Sequence, residues 1–287
     1  MFKSYYQQPR LLDSLGFHVE PYRYDSAIPT SLDVDRAKLR QRRNLPGIIF
    51  DEKVFFQWLE RLQPFAEEFA EVPPDYTEGA PFWRHNGGFE DFDAVTLYAM
   101  IRLLKPRRFI EVGCGFSTRA ASMALRRNTA ESHACEALFI EPYPSDDVRR
   151  NPPPGPLLER KIQDVPLSTF QDLRDGDILF IDTTHIVKAQ SDCVYELLEV
   201  LPTLQAGVHV HLHDIFTPFD YPAEWLLDHL RPFNEQYALE CLLTDSKAFQ
   251  VILPVHFLYT VHHAALDRLL PGGETRPASF WMRRQPL

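Results

Sequence analysis

The stretch Phe109-Ile-Glu-Val-Gly-Cys-Gly-Phe-Ser-Thr118 constrains this chain more than any other. Phe109, Ile110 and Val112 form a short apolar run around a single acid, Glu111. Gly113-Cys114-Gly115 follows, and Ser117 opens an alanine-rich helical stretch. A strand, a tight glycine turn and a helix N-terminus in this order let backbone come close to a nucleotide-like cofactor. Glu111 is placed to meet a cationic amino group. A nicotinamide fingerprint asks for a third glycine at position 118, and this chain has Thr118 there. That gap, with the acid inside the strand, favours a different cofactor. Cys114 reads as small filler in the turn, not as a nucleophile.

From about residue 90 onward, apolar strands alternate with helical stretches. Strands are expected at 108–112, 137–141, 159–162, 177–181, 207–212, 248–253 and 278–284. Helices are expected before Pro106 and at about 117–128, 189–201, 222–230 and 234–243. This alternation implies a doubly wound, mostly parallel α/β sheet with helices on both faces. Ligands in such sheets sit at the carboxyl ends of the strands. Upstream, residues 52–71 have helical apolar spacing, and Pro64 is expected to kink or split that helix. Residues 1–50 read as irregular, with prolines at 9, 21, 29 and 46. The organisation expected is an N-terminal extension or lid over 1–88 and a main domain over 89–287.

The residues ending each strand are the candidates for the site. Strand two ends in Glu141, whose two carboxylate oxygens can accept both hydroxyls of a ribose. The alternative is a solvated strand-end acid. Strand three leads to Gln163-Asp164, which either read an adenine amino group or cap a loop. Strand four ends in Asp182-Thr183-Thr184-His185, an acid/base pair or a metal pair. The bland alternative is an N-cap aspartate with a packed histidine. Strand five reads Gly207-Val-His-Val-His-Leu-His-Asp214. Alternation places His209, His211 and His213 on one face. Asp182, His213 and Asp214 then form a candidate site for a divalent ion. His209 lies roughly 13 Å down the strand from that point and reads as packed, and His211 as packed or supporting. Beyond strand five, the aromatics of 215–225 either line a substrate pocket or pack on the sheet. His262-His263 and the acids Glu67, Glu68 and Glu71 read as solvated helix faces.

The 287 residues can bury a sizeable core, and the net charge of −10 argues against docking on nucleic acid or an anionic membrane. A small-molecule partner fits better. There is no apolar run long enough to span a membrane and no signal-peptide pattern at the N-terminus. Four scattered cysteines without a Cys-x-x-Cys pair suit a reduced, cytoplasmic protein.

The segments Phe89–Tyr98, Phe109–Ser117, Phe139–Pro144, Gln163–Leu167, Asp177–His185, His211–Pro222 and Asn234–Tyr237 together resemble the class I S-adenosylmethionine-dependent methyltransferases. The likeness is to a small-molecule branch with a methyltransferase-24-type domain. The resemblance implies a Rossmann-like, seven-stranded sheet whose last strand runs antiparallel. It implies that Glu111, Gly113, Cys114, Gly115 and Ser117 hold the methionine part of S-adenosyl-L-methionine, that Glu141 holds the ribose, and that Gln163, Asp164 and Asp182 lie along the rest of the cofactor. It also implies that Asp182 stands where catechol-type and macrolide-sugar enzymes bind a metal such as Mg or Mn, and that His185 stands where some sugar enzymes carry a histidine base. Those metal enzymes supply Asp-Asp or Asp-Asn at the end of strand five, whereas this chain has His213-Asp214.

The reaction expected is methyl transfer to a hydroxyl of a sugar or secondary metabolite, with His185 and Asp182 catalytic and a divalent ion as optional help. A homodimer is a further expectation. The rivals are a metal-dependent hydrolase or oxygenase using the His/Asp cluster, and a non-catalytic partner protein with a cofactor fold.

Overall fold

The apolar runs of the sequence pair into one seven-stranded sheet in a computed structural model, which describes residues 33–286 and, before them, residues 16, 28 and 29. The strands are β1 (Arg108–Val112), β2 (Glu136–Ile140), β3 (Leu157–Leu158), β4 (Ile178–Ile181), β5 (His209–Leu212), β6 (Phe249–Pro254) and β7 (Phe280–Arg284). Their order across the sheet is β3-β2-β1-β4-β5-β7-β6. Strands β1 to β5 are mutually parallel where they pair, and β7 runs antiparallel to both β5 and β6. The expected antiparallel last strand is therefore present, two residues shorter at its start than 278–284.

All four residues of β4, Ile178 to Ile181, are buried, as a strand covered on both faces requires. The principal helices are α1 (Glu52–Phe69), α2 (Asp91–Leu104), α3 (Phe116–Ala130), α4 (Asp192–Tyr195), α5 (Glu235–Leu243), α6 (Val255–Val261) and α7 (His263–Leu269). Helix α4 runs on through a π turn (Glu196–Val200) into a last short turn (Leu201–Thr203). Helix α2 packs against both α1 and α3 and is buried along nearly its whole length. It ends at Lys105, which takes the left-handed conformation just before Pro106.

Four expectations are corrected. Helix α1 passes through Pro64 without breaking. Phe55, Trp58, Leu59, Leu62, Ala66 and Phe69 stay on one buried face on both sides of the proline, and that packing outweighs the lost hydrogen bond. Strand β3 lies at 157–158, not 159–162, because the chain meets β2 early. A Cβ on Gly155 would stand 2.3 Å from the carbonyl oxygen of Ala137. Residues 162–164 are instead a 3₁₀ turn. The segment 222–230 holds only a π turn, Glu224–Asp228. Glu68, expected to be solvated, accepts hydrogen bonds from Tyr98 Oη (2.9 Å) and from Nε of the buried Arg102 (2.8 Å).

The chain divides into two compact units, 1–40 with 222–232, and 41–221 with 233–287. Helix α1 falls in the second of these units, together with the sheet. In the first unit Arg36 pairs with Asp228. Most of the expected irregular segment 1–50 lies outside the described residues up to position 32.

Candidate cofactor and acid–base site

The parallel register brings the ends of β1, β2, β4 and β5 to one edge of the sheet. Glu111 Oε1 accepts hydrogen bonds from Ser117 Oγ (2.7 Å) and Thr118 Oγ1 (2.9 Å), both in the first turn of α3. Its Oε2 is buried without a partner. Burial pushes the Glu111 carboxyl up to about 8, against the pull of those two hydroxyls. An orphaned acidic oxygen is what an incoming cation would satisfy.

Gly113 has φ +84, and a Cβ there would stand 1.7 Å from the carbonyl oxygen of Asp182. No other residue fits that contact between the ends of β1 and β4. Gly115 differs, because a Cβ on it would meet nothing within 4 Å. The space beside it is open, a cradle on the side of the turn that lines a cleft. Gly115 N–H donates to Thr118 Oγ1 (3.1 Å), so Thr118 both supports Glu111 and closes the turn. The residue that breaks the nicotinamide pattern is thus the one that ties acid, turn and helix together, and no signal in the sequence separated that role from a plain departure.

Glu141 follows β2 directly. Its Oε2 accepts from Cys114 N–H (3.2 Å) and its Oε1 from Tyr143 N–H (2.7 Å), which aims the carboxylate over the glycine turn. Cys114 contributes its backbone, and burial pushes its thiol up, so it is no thiolate nucleophile. Two adjoining clefts share Gly113, Glu141 and Asp182. One, of about 270 Å³, is lined by Gly88, Phe89, Phe116 and Ser117. The other, of about 380 Å³, is lined by Tyr143, Ile162, Gln163, Thr183 and Ser191 among others. Gln163 thus reaches the cleft, its side chain donating to the carbonyl of Gln190 (3.0 Å). Asp164 does not line it: the 3₁₀ turn leaves that residue exposed.

Beyond the shared wall lies a cluster of charge. His213 N–H donates to the carbonyl of Ile181, which sets His213 beside Asp182. His185 and Asp214 both have positive φ, +58 and +56, and each turns back toward that point. His185 Nε2 lies 3.2 Å from Asp182 Oδ1 and 3.3 Å from Asp214 Oδ2, and its Nδ1 lies 2.9 Å from Glu235 Oε2. His213 Nδ1 lies 3.4 Å from Asp214 Oδ1 and 3.7 Å from Asp182 Oδ2, and its Nε2 lies 3.4 Å from Asp93 Oδ2. Asp93 in turn accepts from the backbone N–H groups of Ala278 and Ser279. Each histidine is therefore backed by an acid from a distant helix. Neither Asp93 nor Glu235 stood out in the sequence, although Asp93 falls within the Phe89–Tyr98 segment and Glu235 within Asn234–Tyr237.

The electrostatics follow from this arrangement. Burial works against charge on His185, but hydrogen bonds to Asp182 and Glu235 and the charge of Asp214 hold it protonated well above its ordinary range. Burial likewise opposes His213, and Asp182, Asp214 and Asp93 raise it to about 9. Asp182 is buried against its charge too, yet His213 and His185 hold it down at about 2. Asp214 moves the other way, raised chiefly by burial.

As a metal site the set fits poorly. The point between Asp182 and Asp214 is filled by His185 Nε2. Among the described residues the three-donor group that closes within 4.8 Å is Cys193, Glu196 and Glu235, not Asp182, His213 and Asp214. His209 is packed, edge-on to Trp58. His211 stacks on Phe180 at 4.1 Å and its Nε2 lies 2.9 Å from Ser279 Oγ. Phe216, Phe219 and Tyr221 are buried, knitted together by Gln236, so these aromatics pack instead of lining a pocket.

Residues 110–215 match the methyltransferase-24-type family model, described as a methyltransferase domain. A relative is an uncharacterized protein of Archaeoglobus fulgidus, 29% identical over 168 residues that cover 55% of this chain and 75% of that protein. No helix among the described residues is long and apolar enough to cross a membrane. The matched segment begins inside β1 and ends just past Asp214, so it spans the glycine turn and both halves of the site. The sheet order, the buried acid beside an open glycine cradle and this match agree: the chain carries a class I S-adenosylmethionine-dependent methyltransferase domain and is a methyltransferase.

Proposed function

We propose that the chain methylates a hydroxyl oxygen of a small molecule, a sugar or a secondary metabolite, with His185 as the base. The observation that carries this reading is the His185 imidazole, backed at Nδ1 by Glu235 and turned at Nε2 toward Asp182, a residue that lines both clefts. A hydroxyl is a weak nucleophile near neutral pH and needs a group to take its proton. The net charge of −10 supports a small acceptor over a nucleic acid.

S-Adenosylmethionine, when bound, supplies a methyl group on a sulfonium, an electrophile that asks the protein mainly for alignment. Toward it the chain offers Glu111 for a cationic group, Glu141 for ribose hydroxyls, Gly113 and Gly115 for close backbone approach, and Gln163 in the lining of the larger cleft. Asp182 keeps its charge and offers an acceptor oxygen that orients a hydroxyl. His185 takes the proton at Nε2 once it is neutral, and Glu235 steadies the imidazolium that forms. The surrounding carboxylates hold His185 protonated, so the active neutral form grows as pH rises. Turnover is therefore expected to climb into the alkaline range and fall away on the acid side.

A divalent ion on Asp182, His213 and Asp214 is the second reading, favoured by the two carboxylates that converge on one point. It requires His185 to give up that point. Turnover that survives a chelator supports the base; loss restored by Mg or Mn supports the ion.

Isothermal titration calorimetry with S-adenosylmethionine and its demethylated product tests the reading at its root. Absence of binding for both would sink it. Glu141→Ala removes charge-assisted hydrogen bonds and is expected to weaken binding by about tenfold to a hundredfold.

A further inference from the structure

A second buried cluster lies behind His185, and of its members the chemistry above uses only Glu235. Glu196 sits in the π turn that follows α4, and Glu235 is the first residue of α5. With Cys193, each brings a donor atom within 4.8 Å of the others, and all three side chains are buried. Glu196 Oε2 accepts from Thr183 Oγ1 (3.2 Å), and Glu235 Oε2 faces His185 Nδ1 (2.9 Å). The other oxygen of each carboxyl, Oε1 in both, is buried and has no partner. Two carboxylates shut away from water at this separation repel each other and lack solvent to carry their charge. A proton or a cation must stand among them.

We propose that it is a proton: Glu196 is a neutral carboxylic acid that lends its hydrogen to Glu235, and Glu235 is thereby fixed as the anion that receives the Nδ1–H of His185. The surroundings agree. Burial, with the charges of Glu235 and Asp192, pushes Glu196 well above the ordinary carboxyl range, against the pull of the Thr183 hydroxyl and the charge of His185. Burial and the same acids push the Cys193 thiol up as well, so the cluster lacks the thiolate that a metal would want. Glu196 is then a positioning residue. It acts through Glu235 on which His185 nitrogen carries the proton, and so on which nitrogen faces Asp182. Only this last consequence rests on His185 serving as base; the location of the proton does not.

The test is a pH titration of the His185 ring by nitrogen NMR in the full chain, with labelled histidine and a chelator present. Glu196→Gln and Glu235→Gln are compared with the unaltered protein, and His185→Gln provides the assignment. The groups facing the ring are Asp182, Asp214 and Glu235, with Phe233 against its face. Glu196→Gln exchanges one neutral group for another, so the His185 midpoint is expected to move by less than about 0.3 pH units, with Nδ1 still protonated. Glu235→Gln removes an anion and is expected to lower the midpoint by about one unit or more. A fall in Glu196→Gln as large as that in Glu235→Gln means Glu196 is ionised, and the proposal is wrong. It is also wrong if Glu235→Gln leaves the midpoint in place. Metal analysis of protein purified without chelator is the third arm: a stoichiometric divalent ion that Cys193→Ala or Glu196→Gln removes would put a cation where we place the proton. None of these measurements needs cofactor or acceptor. Failure of the unaltered protein to bind S-adenosylmethionine would overturn the functional reading and leave this one standing.

Discussion

At the ends of β1 and β2 the site is made mostly of backbone. Gly113 and Gly115 clear the way, Glu141 is held by two main-chain N–H groups, and the one buried acid, Glu111, faces only neutral hydroxyls. At the ends of β4 and β5 the site is made of charge. Asp182 and Asp214 alternate with His185 and His213, and Glu235 and Asp93 stand behind the histidines. The first region is shaped by what is missing, the second by what is paired. It follows that added volume should break the first, whereas removed charge should break the second.

Gly113→Ala should give the largest effect. Its Cβ would fall on the Asp182 carbonyl at 1.7 Å, at a φ that L residues avoid. Cofactor binding should vanish in calorimetry, and stability should fall by about 3 kcal/mol or more in denaturant titration. Gly115→Ala is the sharper half of the pair. Its backbone is extended (φ −163) and its Cβ meets nothing, so stability should shift by less than about 1 kcal/mol while cofactor affinity drops. Equal destabilisation by the two would mean that the close approach of β1 to β4 is not what Gly113 serves.

On the charged side, His185→Gln keeps an N–H donor among the carboxylates but cannot take up a proton. With any acceptor that turns over, kcat should fall by about 10²- to 10⁴-fold. The dissociation constant for S-adenosylmethionine should change by less than about threefold, because His185 lines neither cleft. A kcat within a factor of a few of the original would remove His185 as the base.

The two regions also differ in how far the sequence alone exposes them. Glu111, Gly113 and Glu141 lie within a few residues of a strand end, so a strand pattern and a spacing are enough to single them out as candidates. Asp182, His185, His213 and Asp214 are legible in the same way, as the ends of β4 and β5. Their partners are not. Glu235 meets His185 across 50 residues and Asp93 meets His213 across 120, and nothing local marks an acid in a helix as the back of an imidazole. Thr118 was legible only as a glycine that is absent. For Asp164 and the aromatics after Asp214 the sequence left two readings open, for a related reason. Whether a residue faces a cleft or packs depends on the turn that carries it, and a 3₁₀ turn at 162–164 and the buried Gln236 decide those cases.

Glu111→Gln should give the smallest effect on the fold, and its sign depends on pH. The carboxyl sits at about 8 in the folded chain against an ordinary 4.5. The folded state therefore binds the Glu111 proton more tightly than the unfolded state does. This contribution to stability is fully present below about 4.5 and is lost as pH rises through about 8. Glutamine carries no such proton, keeps an acceptor oxygen for Ser117 and Thr118, and removes the loss. At pH 5 the variant and the unaltered protein should unfold at nearly the same temperature. At pH 8 to 9 the variant should be the more stable, by about 1–3 kcal/mol, in a melt without cofactor. S-Adenosylmethionine should raise the melting temperature of the unaltered protein and leave that of the variant nearly unmoved, because the amide cannot answer a cationic group. A variant that is less stable at alkaline pH, or that is still stabilised by the cofactor, would mean that Glu111 is a structural acid and that the backbone half of the site recognises its ligand by shape alone.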